Sequence, residues 1–261
     1  MDSFAVLFCV FLLAIFLIAW KSHFFPDSSL YSYQCYAAVS CAVMAICACG
    51  IAFVLFRWSA DDVRSDSGEL IFYFVFSLIW VAVTQMLFAF LGVSLRADGV
   101  ERKNRGALIT VGGLTIGISC CVAGSNVGNG PGGEVVLFCS VFSTGTLLAL
   151  WALLARFGDM EKTITVVRDA GAGVRAGGFL AGSGAVFGAA VAGNWVSVPS
   201  TLWDFVHFGW PVFAVSTLLT GFERTQARRP LGGRLSTGAS ALLSVTLMIA
   251  SALYAAWVAK Q

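Results

Sequence analysis

The sequence predicts an all-α integral membrane protein of about eight transmembrane helices, built from repeated in-out-in helical hairpins, with both termini outside. Three observations predict it. Of the 261 residues, 58% are hydrophobic and 11% charged, whereas a soluble domain carries roughly 25% charged residues. Apolar stretches near the ~20 residues that cross a bilayer recur along the whole chain. Lys and Arg gather in alternate loops, as expected when cytoplasmic loops retain positive charge.

The spans fall at about 4–20, 33–56, 70–95, 106–124, 135–155, 174–193, 203–222 and 237–258. The first, Phe4 to Trp20, has the length of a secretory leader. It lacks a basic lead-in, Asp2 being its only preceding charge, and no small-residue cleavage site follows. It reads as a retained helix. The third carries Thr84 and Gln85 near its middle, a candidate interhelical hydrogen-bonding pair. The sixth is nearly all Gly and Ala, so its hydropathy is weak.

Charge placement supports that sixth span. Lys21 lies in the first loop. Arg96, Arg102, Lys103 and Arg105 lie in the third, Arg156, Lys162, Arg168 and Arg175 in the fifth, and Arg224, Arg228, Arg229 and Arg234 in the seventh. The remaining loops and the tail hold only Arg57, Arg64 and Lys260. This alternation requires the sixth span, and it puts the Gly-rich turn "AGSNVGNGPGGEVVLF" outside.

An internal repeat organises the chain. "VAGS" at Val122 matches "VAGN" at Val191, an offset that also sets Gly113 on Gly182 and Ala107 on Ala176. The units are an N-terminal helix and loop (1–32), a divergent first hairpin (33–95), a second hairpin (96–156), a third (157–222), and a basic loop with a final helix (223–261). All three hairpins run in the same direction, unlike the inverted repeats common in secondary transporters.

An acid opens the returning span of each hairpin: Glu69, Glu134 and Asp204. A carboxylate in a first helical turn offsets the macrodipole and caps free N–H groups. The sharper reading is a shared outer mouth that attracts cations. Asp204 and His207, three residues apart, form a candidate proton or cation pair, flanked by Trp203 and Trp210 at interfacial depth.

The stretch "ERKNRGALITVGGLTIGISCCVAGSNVGNGPGGEVVLF" resembles the YjfL-like bacterial membrane family, also called the domain of unknown function 350. Asn104, Ala107, Gly113 and Gly124 carry the resemblance, which covers about residues 70–222. In the second copy Gly173 stands where Asn104 stands in the first. The resemblance implies the fold and a bacterial inner-membrane location, and no reaction.

Small-xxx-small pairs mark helix contacts: Gly113 with Gly117, Gly178 with Gly182, and Gly184 with Gly188. They suit a monomer core or a homo-oligomer interface. The eight Cys all lie in apolar spans, without zinc or disulfide spacing. The vicinal pair Cys120 and Cys121 is a redox candidate, although no CxxC is present. His23 and His207 are expected on opposite faces, which argues against a two-histidine haem. "GSNVGNG" lacks the Lys of a phosphate-binding loop. No basic face suits nucleic acid.

The expected function is therefore non-enzymatic, with no metal or cofactor: a multi-pass scaffold or partner-binding subunit in contact with lipid and with a cytoplasmic or membrane protein. The alternative is a cation channel or small-solute transporter using Glu69, Glu134 and Asp204. A third reading is a membrane thiol redox protein.

Overall fold

The computed structural model describes residues 31–130 and 132–260. The span expected at 4–20 lies outside the described residues. Seven long helices follow one another: α1 (Tyr31–Trp58), α2 (Ser67–Phe90), α3 (Arg105–Ser125), α4 (Gly133–Phe157), α5 (Ala170–Val191), α6 (Val198–Ala227) and α7 (Thr237–Val258). Each is long and apolar enough to cross a membrane. Short helical turns at Asp61–Ser65, Met160–Thr165 and Leu231–Gly233, and a π-helical segment at Leu95–Glu101, fill the connections. The architecture is all-helical and of membrane type.

Successive helices alternate in direction. The ends of α1, α3 and α5 meet the starts of α2, α4 and α6 at what we call the turn end, which carries the Gly-rich turn. The opposite, basic end carries Arg102, Lys103, Arg168, Arg228, Arg229 and Arg234.

Three boundaries differ from the sequence reading. The span expected at 70–95 stops at Phe90, and Leu95–Glu101 forms its own segment. The span expected from 174 begins at Ala170, so Arg175 is inside α5 rather than in the loop. The span expected at 203–222 extends from Val198 to Ala227. Ser197 caps it, its Oγ accepting from Ser200 N at 3.3 Å, and Pro199 sits in its first turn. Hydropathy misses such polar first turns, whereas capping chemistry marks them.

α3 and α5 form the centre of the bundle. They run parallel and pack backbone to backbone. A Cβ on Gly113 would collide with the Gly177 carbonyl, one on Gly124 with Gly188, and one on Gly184 with Gly117. Gly188 abuts the Cys120 carbonyl in the same way. Only hydrogen-sized side chains allow this approach. Gly178 and Gly182 face α7 instead, against Ser244 and Ser251. α7 leans on α5, and α1, α2 and α4 gather around α3. Leu114, Ile118, Leu147, Trp151, Leu180 and Phe187 fill the core.

The entrances to α3 and α5 share one geometry. Lys103 and Arg168 are left-handed (φ 52° and 59°), a conformation non-glycine residues rarely adopt. Each precedes a cap: Asn104 Oδ1 accepts from Ala107 N at 3.2 Å, and Asp169 Oδ1 from Ala172 N at 3.1 Å. Asn104 N donates to Asp98 O, and Asp169 N to Thr163 O, both at 3.1 Å. The cap role of Asn104 thus corresponds to Asp169, not to Gly173 as the "VAGS"/"VAGN" alignment had it. Asn104 also ties two loops together, its Nδ2 donating to Ile164 O at 2.7 Å. Ala107 is fully buried behind it.

Candidate functional site

Three connections meet at the turn end and are knit by main-chain hydrogen bonds. Gly128 N donates to Trp58 O (3.2 Å), Gly193 N to Val127 O (3.1 Å) and Trp195 N to Asn129 O (2.8 Å). Asn129 N donates to Asn194 Oδ1 at 2.8 Å. Gly128 and Gly193 both hold positive φ (95° and 128°), and a side chain on Gly128 would strike the Gly193 carbonyl. Asn126 anchors the turn from below, its Nδ2 donating to Val122 O at 2.6 Å and to Ser77 Oγ at 3.4 Å.

These connections line a small, half-open pocket of about 80 Å³. Its polar lining includes Asp62, Tyr73, Asn129, Asn194, Thr201 and Asp204, and Val136, Cys139 and Val191 contribute apolar wall. No Lys or Arg lines it. Two carboxylates set among amides and turn carbonyls make a site that accepts hydrogen bonds and favours positive charge. No group of three or more His, Cys, Asp or Glu with metal-binding placement occurs among the described residues.

The three acids singled out in the sequence are not gathered in this pocket. Asp204 lines it, half-buried. Glu69 lies half-buried in the first turn of α2, and Glu134 lies exposed in the first turn of α4. Neither lines the pocket. Asp204 occupies the second turn of its helix rather than the first, because α6 starts earlier than hydropathy indicated. The second carboxylate lining the pocket is Asp62, from the short turn Asp61–Ser65, which sequence reading passed over. The run "SADDVRSD" was the available signal.

Asp204 and His207 make no hydrogen bond or ion pair with each other among the described residues. Three helical steps leave their side chains about 60° apart around the axis. Asp204 turns to the pocket, while His207 is exposed and stacks on Trp203, ring centres 6.3 Å apart.

At the basic end the structure assembles charges the sequence had assigned to loops. Arg175 and Glu223 are each 2% exposed and form a two-point ion pair through Nε–Oε1 and Nη2–Oε2, the latter at 2.8 Å. Arg175 Nη1 donates to Ser240 Oγ at 2.5 Å, and its guanidinium lies 5.7 Å from the Phe222 ring centre. One side chain on α5 thus fastens α6 and α7. Arg234 supports it from the next loop, 3.5 Å from Asp169.

The mid-span polar residues are packing groups. Gln85 Nε2 donates to Thr115 Oγ1 on α3, and Thr84 bonds to Trp80 O within its own helix at 2.8 Å. The seven described cysteines are free. Cys121 is fully buried, its Sγ 3.6 Å from Gly184 O. Cys120 is half-buried beside it.

Comparison with protein-family models, with curated proteins and with solved structures finds no match for this chain.

Proposed function

We propose that this protein is a non-enzymatic, multi-pass subunit of a bacterial inner membrane that binds a cationic group at its outer face. The group belongs to a small organic solute or to a basic side chain of a partner protein. The pocket between Asp62 and Asp204 carries the proposal. Its acids, amides and main-chain carbonyls accept hydrogen bonds, no base competes, and cross-linked turns hold it ready before any ligand arrives. The turn end faces outward in this reading because the basic loops stay in the cytoplasm. Kinship with the YjfL-like family and a duplicated hairpin belong to the same proposal. They rest on Asn104, Ala107 and Gly124, and on the matched entrances to α3 and α5.

A cation channel or transporter is the second reading, favoured by the same two carboxylates. Titration of the reconstituted protein with ethylammonium, arginine amide and spermidine, paired with flux of those cations into proteoliposomes, separates the two. Binding without flux supports the subunit. Binding with flux, both lost in Asp62→Asn/Asp204→Asn, replaces it with a permeation path. No binding removes both.

A further inference from the structure

A second cavity, of about 310 Å³, lies between α5, α6 and α7. Its back is α5 at Gly178, Phe179, Ser183 and Val186. Its walls are α6 at Pro211–Val215 and α7 at Leu247–Tyr254. The Arg175 clamp to Glu223 and Ser240 draws α6 and α7 together one turn below Gly178. Phe208 and Trp257 meet at the other end, ring centres 6.2 Å apart. Between these two closures α6 and α7 part, and no charged residue lines the gap.

Ser183 makes this more than a packing gap. Many hydroxyls inside helices bond back to a carbonyl four residues earlier, as Ser77, Thr110, Ser119, Ser125 and Ser143 do, although the buried Ser140 hydroxyl has no partner among the described residues. Ser183 is 4% exposed, lines the cavity, and makes no hydrogen bond among the described residues. Ser251 and Tyr254, on the facing wall, are also without one. A hydroxyl left without a partner in an apolar medium is costly, and three border one cavity.

We propose that this cavity binds a neutral, lipid-soluble molecule with a ring-borne carbonyl, the quinone class, its carbonyl oxygens accepting from Ser183 and Tyr254. Depth selects this class. Ser183 lies roughly 20 Å from the start of α5 and about 12 Å from its end by helix rise, well inside a hydrocarbon core about 30 Å thick. Phospholipid ester groups stay at the interface, within reach of Tyr254, about 6 Å from the end of α7 by helix rise, but not of Ser183, to which an acyl chain would bring no acceptor. A charged ligand would find no counter-charge. Phe179 and Tyr254 give the lining two aromatic side chains against which a ring can pack.

The test uses the full chain in phospholipid nanodiscs, labelled with a photoreactive short-chain azidoquinone and mapped by peptide mass spectrometry. The expected result is saturable labelling within Phe179–Val186 and Leu247–Tyr254, competed by decylubiquinone and not by hexadecane. Ser183→Ala/Tyr254→Phe keeps the shape and should weaken binding at least tenfold. Ser183→Leu, which fills the cavity, should abolish it, with unchanged thermal unfolding as the control for folding. Equal competition by hexadecane, or undiminished affinity in the hydroxyl-free variant, would make the cavity an acyl-chain groove and overturn the proposal. Labelling elsewhere, or α6–α7 cross-links between copies that exclude the probe, would overturn it as well.

Discussion

Arg175 and Glu223 face each other across α5 and α6 as a two-point ion pair with almost no exposure. Both Glu223 oxygens and three Arg175 nitrogens are engaged, one of them by Ser240 on α7. Removing one partner leaves a buried charge alone, which costs about 3–5 kcal/mol. Glu223→Leu or Arg175→Met should therefore lower thermal stability sharply in detergent. The double variant should recover much of the loss, because no charge is stranded. A double variant as unstable as the singles would show that the pair acts through Ser240 rather than through charge.

Gly112 and Gly113 are neighbours with opposite expectations. Gly113 abuts the Gly177 carbonyl, while a Cβ on Gly112 meets nothing within 4 Å. Gly113→Ala must push α3 off α5, at a cost of about 1–3 kcal/mol or more. Gly112→Ala gains helix propensity and should be neutral or stabilising by up to about 1 kcal/mol. Paired thermal unfolding curves check the difference.

Asn104 has two separable tasks, capping α3 and bonding Ile164 O. Asn104→Asp keeps the cap acceptor and loses the donor, and Asn104→Ala loses both. Both variants should be less stable. Alanine should cost about 1 kcal/mol more than aspartate if the cap contributes its usual share. Equal losses would place the whole role in the Ile164 bond.

The orientation of the bundle is open to direct labelling. Asn129→Cys at the turn end and Arg229→Cys at the basic end are both at exposed positions. In intact spheroplasts an impermeant thiol reagent should modify the first and reach the second only after permeabilisation. The reverse pattern would invert the bundle.

Architecture was more legible in the sequence than chemistry was. Apolar length found all seven described spans, and basic-loop alternation supported the Gly-rich α5, where hydropathy was weakest. The glycines marked real contacts because close backbone approach leaves a compositional trace. Arg175 and Glu223 were missed because a charge near a span boundary reads as loop until the capping residue is identified. For Arg175, Asp169 was that residue, with the same cap geometry as Asn104, while Glu223 lies in the last turns of α6, beyond where hydropathy ended it. Asp62 was missed because it comes to line the same pocket as Asp204 only through the folding of three connections, a relation with no local pattern. Asp204 and His207 diverge for a geometric reason: three residues of helix separate their directions enough for one to line the pocket and the other to be exposed beside Trp203.

The most direct test of the central claim is calorimetric titration of the nanodisc-reconstituted protein with spermidine, wild type beside Asp62→Asn/Asp204→Asn. The expected result is saturable binding that weakens at least tenfold in the variant and falls with added salt, as attraction between solvent-accessible charges must. Binding unchanged by removal of both carboxylates, or no binding to the wild type, would contradict it.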